Sequence, residues 1–578
     1  MQNVLTLHNP QQAREFYMAG VWQRDTLYSL AENHASTRPG LWALRDTEIR
    51  LTWRALVDWA DSVAQGLAEA GLHSGDRVAV WLPSRVESVV IFLACSRNGY
   101  VCVPSLHQNH TVEEIAVLLE RVQCRALFAM PGYGADASEN SIFTRALTMP
   151  SIKTVFAVFP SHSVEGMLPA KSRPFPKPDA ASVSSPPDLN PDKVVYLAFT
   201  SGTTGMPKGV MHSDNTLLAN GRALASDWNQ GPDTVILSLS PVSHHIATVA
   251  CEQMLVTGCE LALHYAGTGK SVLDWIIETG ATYVMGVPTH AIDLLAALQQ
   301  QGLQHLGKVK TFYMAGTLIP RKIAEQFLTL GVVPQNIYGM TENGSHQYPL
   351  PADEIDTLVA SCGRACRGYE VRLWNQENPD IEAEPGQIGE IGGRGGLLML
   401  GYFNNQEATE NSFNASGWFL SGDLGQFDKN GGLRIVGRKK DLIIRGGHNI
   451  YPVTIEELAQ RHPGVLKVAV YPVAHERLGE QVCLAVIPRD GVALRADEVL
   501  KYLLDSGLSK YDLPEHFIEM DAFPMTTSGK ILKRELVELT RAGKLVPQAV
   551  RVSASAGQPL AGQSLISDEK TISEGKTA

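Results

Sequence analysis

The stretch that decides the fold is Val194-Val195-Tyr196-Leu197-Ala198-Phe199, which runs straight into Thr200-Ser201-Gly202-Thr203-Thr204-Gly205-Met206-Pro207-Lys208-Gly209-Val210. The first six residues are an unbroken apolar run and read as a buried strand. The eleven that follow read as a loop. Glycines let backbone N–H groups turn toward an anion, the hydroxyls of Thr200, Ser201, Thr203 and Thr204 add donors, and Lys208 adds a mobile positive charge. That is phosphate-cradling chemistry. It is not the nucleotide P-loop, in which a hydroxyl residue follows the lysine; here Gly209 does. A Ser/Thr/Gly loop alone would be a polar surface turn. The whole string behind a buried strand argues for the phosphate.

Outward from this loop, strand and helix patterns alternate. Thr52–Gly71 places Leu56, Val57, Ala60, Val63, Ala64 and Leu67 at helical spacing, Asp76–Leu82 is a short β-rich run, Glu87–Arg97 is helical and Tyr100–Pro104 is again strand. Strands separated by helices pair in parallel in α/β proteins. Residues 161–191 are rich in proline and serine and read as a linker between subdomains. Around 363–436 short strands and many glycines suggest a smaller β-rich module. Beyond Gly437 comes a compact α+β pattern: Leu442–Arg445, helix Thr454–Gln460, strands Val465–Val473 and Gln481–Pro488, helix Ala496–Ser506. The expected fold class is therefore α/β: a large N-terminal domain of two α/β subdomains plus a β-rich module, and a small α+β C-terminal domain. The boundaries read as 1–436, a hinge at 437–441, a small domain at 442–545 and a disordered tail at 546–578, whose last 28 residues contain no aromatic.

Composition excludes several classes. A chain of 578 residues could hold about four average domains, or one large body with a satellite. Its net charge of −11 is a poor basis for non-specific nucleic-acid binding, so no nucleic-acid partner is expected. No apolar run approaches the ~18 residues of a membrane span. The opening residues do not read as a signal peptide. Eight cysteines are scattered among apolar segments, as free thiols of a cytoplasmic enzyme would be. Only Cys362-x-x-x-Cys366 is close-spaced, and without a second Cys/His pair a zinc site is disfavoured.

Further motifs follow the glycine-rich loop in order. They are Pro241-Val242-Ser243-His244-His245, then Met314-Ala315-Gly316-Thr317-Leu318-Ile319-Pro320, then Tyr338-Gly339-Met340-Thr341-Glu342. Next come Gly417-Trp418-Phe419-Leu420-Ser421-Gly422-Asp423-Leu424 and Gly437-Arg438-Lys439-Lys440-Asp441. Last are Ile444-Arg445-Gly446-Gly447-His448-Asn449-Ile450-Tyr451-Pro452 and Pro524-Met525-Thr526-Thr527-Ser528-Gly529-Lys530. This series resembles the adenylate-forming superfamily of acyl-CoA synthetases, aryl-CoA ligases, peptide-synthetase adenylation domains and luciferases, over about residues 30–545. Within it, the sequence looks most like short- and medium-chain fatty acid and cyclohexanecarboxylate CoA ligases.

The resemblance implies a two-step reaction. A carboxylic acid and ATP give an acyl-adenylate and pyrophosphate; coenzyme A then takes the acyl group and AMP leaves. The glycine-rich loop with Lys208 would hold the phosphates, and Gly316, Thr317, Tyr338 and Gly339 the adenine. Thr341 would bond the α-phosphate, and Glu342 would hold Mg²⁺, a hard cation that prefers carboxylate and phosphate oxygens. Asp423 and Arg438 would take the ribose, a carboxylate having two oxygens for two hydroxyls. Lys530 would bridge the acid and the α-phosphate and stabilise charge in the transition state. The hinge pivot would be Lys440, and Gly446 and Gly447 would line the pantetheine path. Since Arg438 and Lys530 lie at or beyond the hinge, closure of a mobile C-terminal domain would bring part of the positive charge to ATP.

The acid pocket would be lined by His244, Val249, Gly286, Val287, Pro288, Gly316, Thr317 and Met340, mostly small or apolar, which suits a compact hydrophobic acid. Ala247, Ala315 and Thr317 depart from the family pattern, so pocket shape does not carry over from relatives. An amino-acid substrate is disfavoured, because the segment after His245 offers no carboxylate before Glu252. A carrier protein stays open as an alternative acceptor, as does a homodimer. Retention of Lys208, Glu342, Asp423 and Lys530 argues against a binder that has lost catalysis.

Overall fold

The computed structural model describes residues 5–159, 168–169, 171–178, 185–200, 207–316, 319–525 and 531–550. The chain divides into two compact units, one running to Leu442 and taking in Met525–Ile531, the other from Ile443 to Pro524 and again from Leu532. The disordered tail expected from residue 546 starts too early: Gln548–Ala549 pairs with Phe517 and His516 as an edge strand, and the Val550 N–H donates to the Glu515 carbonyl at 2.8 Å, because the sheet edge offers free backbone partners, while 551–578 fall outside the described residues.

The first unit is built on two seven-stranded sheets. One has the strand order Arg173–Pro174, Thr154–Ala157, Ala126–Ala129, Arg77–Trp81, Val101–Val103, Val194–Thr200, Lys208–Ser213. All pairs are parallel except the last, where the chain returns directly on itself. The other runs Val333–Asn336, Thr311–Met314, Tyr283–Gly286, Val235–Ser238, Glu260–Leu263, Trp42–Arg45, Arg50–Thr52, parallel but for its final pair. Parallel strands need helical crossovers on both faces, and the sequence supplies them. Helix Trp53–Glu69 is started by Thr52, whose side chain accepts from the Ala55 N–H at 3.3 Å, and buries the stripe Leu56, Val57, Ala60, Val63, Ala64 and Leu67. Helix Val86–Asn98 is buried from Val86 through Arg97 and ends on Gly99 in the left-handed region.

The glycine-rich region forms an antiparallel sheet of Tyr369–Trp374, Gly389–Gly395, Phe419–Phe427 and Leu433–Arg438. A three-stranded sheet, Tyr338–Met340, Gly344–Tyr348 and Arg364–Ala365, completes the unit. The second unit is a long hairpin, Val465–His475 with Gly479–Pro488, joined by His516–Glu519 and by the hairpin Ile443–Arg445/His448–Ile450. Helices Pro452–Ala459 and Ala496–Asp505 close a core that includes Ile455, Val470, Leu484, Val486 and Leu503.

The proline-rich segment is more than a linker. Arg173–Pro174 adds a parallel edge strand against Phe156–Ala157, and the Trp59 indole N–H donates to the Pro176 carbonyl at 2.7 Å. Phe175 packs edge-on against Trp59 and Phe128. Proline is tolerated at a sheet edge, where its missing N–H is not needed, and the aromatic residue among the prolines is what anchors the segment. Residues 160–167, 170 and 179–184 of the same segment lie outside the described residues.

Candidate active site

Lys208 begins the strand that pairs back on Val194–Thr200, with Thr200 opposite Lys208 and Phe199 opposite Gly209. The expected phosphate-loop residues Ser201, Gly202, Thr203, Thr204 and Gly205 lie outside the described residues. On its other edge the Lys208 strand meets residues 400–403: Phe403 N–H donates to the Gly209 carbonyl at 2.7 Å, and Met211 N–H to that of Gly401 at 3.1 Å. This ladder sets Tyr402 beside Lys208, whose ammonium stands 4.5 Å from the ring centroid. The Tyr402 hydroxyl donates to Glu342 Oε1 at 3.0 Å. Burial pushes the Glu342 carboxyl up, while Tyr402 and Lys208 pull it back toward the ionised form. Tyr402 was not anticipated from sequence. The only signal was an aromatic pair in the run Gly401-Tyr402-Phe403-Asn404-Asn405.

A second carboxylate stands nearby. Asp423 and Arg438 are ladder partners, and the guanidinium Nε lies 3.3 Å from Asp423 Oδ1. Asp423 Oδ2 accepts from the Tyr338 hydroxyl at 3.0 Å. Burial and the neighbouring carboxylate raise the Tyr338 hydroxyl well above its usual range, so it remains a donor.

The turn that carries Tyr338, Thr341 and Glu342 is held from three sides. A Cβ on Gly339 would run into the Gly344 carbonyl, so the hairpin requires glycine there. Met399 N–H donates to the Glu342 carbonyl at 2.7 Å. His212 Nε2 lies 2.7 Å from the Thr341 carbonyl, and its Nδ1 lies 3.0 Å from Thr216 Oγ1. A carbonyl only accepts, so Nε2 carries the proton and Nδ1 accepts from the threonine. Burial lowers His212 to about 4, which keeps it in this neutral form. His212, at the far end of the Lys208 strand, was also missed by sequence reading. Met340 is half-buried between the Tyr338 and Tyr402 clusters.

Of the expected acid-pocket residues, His244 directly precedes helix His245–Thr257 and is half-buried. Val249, one turn on, is fully buried in the core. Gly286 ends a strand, Val287 follows it, and Pro288 is the first residue of helix Pro288–Gln300. Gly316 has φ +96°, and a Cβ there would stand 3.5 Å from Val287 Cγ1, so these two segments are neighbours. Thr317 lies outside the described residues, and so does Lys530. Lys440 sits in the single helical turn Lys439–Asp441, where Lys439 reaches Glu390 at 2.8 Å. In the second unit Gly446 and Gly447 form an exposed turn with φ of 58° and 86°. Beside it His448 pairs with Asp512 at 2.7 Å.

Residues 31–403 match the AMP-binding enzyme family, and residues 454–530 match the AMP-binding enzyme C-terminal domain. The chain belongs to the adenylate-forming, AMP-binding enzyme family. Among its curated relatives, this adenylate-forming enzyme is 30% identical to a medium-chain fatty-acid–CoA ligase of Escherichia coli, covering 91% of this chain and 92% of that one. It is 32% identical to a feruloyl-CoA synthase of an Amycolatopsis species, covering 87% and 96%. The crystal structure of ATP-bound MatB from Rhodopseudomonas palustris superposes with a TM-score of 0.77 at 27% identity, over 89% of this chain and 99% of that one. The architecture is that of an AMP-forming acid–thiol ligase. Among the described residues no helix is long and apolar enough to cross a membrane.

Proposed function

We propose that the enzyme joins a compact, largely apolar carboxylic acid, of short or medium chain, alicyclic or aromatic, to coenzyme A. In the first step a carboxylate oxygen bonds to the α-phosphorus of ATP and pyrophosphate leaves. In the second the thiol sulfur bonds to the acyl carbon, the C–O bond to AMP breaks, and the thiol proton passes to solvent. The observation that carries this reading is one turn, Tyr338–Gly344, that contributes to two carboxylate clusters at once: Tyr338 with Asp423 and Arg438, and Glu342 with Tyr402 and Lys208. The first suits a nucleoside, with Tyr338 as a flat, hydroxyl-anchored face for adenine and Asp423 for the ribose. The second suits a polyphosphate, with Lys208 supplying charge and Thr341 a hydroxyl.

The Glu342 carboxyl is the hard oxygen that would hold Mg²⁺; bound cation supplies charge neutralisation of the phosphates. Its burial fits this, since a nearby cation offsets what burial does to a carboxylate. His244, Val249, Gly286, Val287, Pro288, Gly316, Thr317 and Met340 are proposed to border the acid. Lys530 is proposed to act in adenylation, Lys440 as the pivot of the small domain, and Gly446 and Gly447 beside the pantetheine arm. A cytoplasmic setting is in keeping with eight free cysteines.

The test is pyrophosphate release with fatty, alicyclic, aromatic and steroid-side-chain acids, with and without CoA. At least one apolar acid should release pyrophosphate, and CoA should then yield the thioester and AMP. Silence across the whole panel would sink the proposal. Release followed by transfer only to a phosphopantetheinylated carrier would move the acceptor from CoA to a protein.

A further inference from the structure

A histidine far from His244 in sequence shares its surroundings. His107 lies in the loop after strand Val101–Val103, and its ring stacks on His244 with centroids 4.4 Å apart and planes 22° from parallel. Its Nδ1 is 2.9 Å from the Ser243 hydroxyl, so the same short motif that carries His244 also fixes the plane of His107. The His107 carbonyl accepts from the fully buried Trp81 indole at 3.1 Å. Two residues earlier, Ser105 Oγ accepts from the Phe199 N–H at 2.6 Å, tying the loop to the strand that leads into the glycine-rich stretch. His110 closes the row, its ring 5.3 Å from that of His107.

The chemistry of this row is specific. His107 is pushed down to about 3, first by burial and then by the neighbouring imidazoles. It is therefore neutral at working pH and packs on His244 without charge repulsion. With one face of His244 covered and the covering ring pinned at both its backbone and Nδ1, the sweep of the His244 side chain is restricted. A side chain already ordered loses less freedom when a ligand meets it.

We infer that His107 is a positioning residue of the acid site, acting through His244. This rests on the proposal that His244 borders the acid. The experiment compares His107→Ala, His107→Phe, His244→Ala and the double alanine variant in pyrophosphate release, with cyclohexanecarboxylate, octanoate and benzoate as probes. His107→Ala should raise KM for the acid about five- to tenfold, the worth of one lost ring contact. KM for ATP should not move. His107→Phe restores a ring face and should recover most of the loss. The double variant should be no worse than His244→Ala, because both substitutions remove one coupled unit. An unchanged acid KM in His107→Ala, with a raised one in His244→Ala, overturns the inference alone. Equal increases in KM for acid and ATP overturn it as well, by assigning His107 to general stability, and so do effects that multiply in the double variant. If His244→Ala changes nothing, the placement of His244 and this inference fall together.

Discussion

At the scale of single residues, the chemistry is set by who partners each buried carboxylate. Glu342 has Tyr402 as a hydrogen-bond donor and Lys208 as a nearby charge. Replacing Tyr402 by Phe keeps the ring under the lysine and removes only the hydroxyl. The carboxyl should then titrate higher, because a bond to its ionised form is lost. We expect kcat/KM to fall about tenfold at neutral pH, the worth of one bond to a charged group, and the acid limb of the pH–rate profile to move upward. A profile superimposable on wild type would show that Tyr402 does not serve Glu342. Motif residues were legible here because the resemblance fixes them by type and order. Tyr402, His212 and His107 were not, because their meaning lies in a partner 60, 129 and 137 positions away in the chain. No local pattern records such a meeting.

Among elements, the hairpin Tyr338–Met340/Gly344–Tyr348 is the part on which both clusters depend. Gly339→Ala places a Cβ against the Gly344 carbonyl, a backbone atom that cannot move aside alone. The substitution should cost at least about 2 kcal/mol, read from urea denaturation, and should weaken ATP binding in the protein that still folds. A neutral result would mean that the hairpin opens without loss. Helices and strands of both units matched their hydrophobic spacing closely: Trp53–Glu69 and Val86–Asn98 lie within a residue or two of the expected spans. The edge strand Arg173–Pro174 escaped, since two residues among prolines carry no periodicity to read.

For the whole molecule, two features are open to measurement. The first is buried neutral imidazole. His346 is fully buried between Tyr338 and Tyr369, neither ring nitrogen has a hydrogen-bond partner among the described residues, and burial holds it at about 3. In the unfolded chain it would titrate near about 6.5. Below that value the unfolded state takes the proton and the folded state does not, so stability falls as pH drops, down to the folded value. His346→Phe should therefore hold its stability at pH 7 and lose it less steeply between about pH 6.5 and 4, by up to about 1.4 kcal/mol per pH unit. Parallel pH curves for the two proteins would refute the assignment. The second is the proposed separation of the two half-reactions. Lys530→Ala should abolish adenylate formation yet spare thioester formation from supplied acyl-adenylate, and Lys440→Pro should do the reverse. Pyrophosphate exchange at the normal rate in Lys530→Ala would remove that lysine from the first step. The two-unit arrangement was legible because the motifs straddle residue 440; the acid is not, since it depends on the shape of the few side chains that border it, which no motif fixes.

The ladder between the Lys208 strand and residues 400–403 has a consequence for how this chain can vary. Its side chains alternate from one face to the other with every residue. A one-residue insertion or deletion between Met399 and Tyr402 would slide the register by one and turn the tyrosine away from both Lys208 and Glu342, with no change in composition. This segment should therefore accept many single substitutions and almost no change of length, and a library of deletions and insertions scanned across residues 395–410 should show a sharp gap at that point.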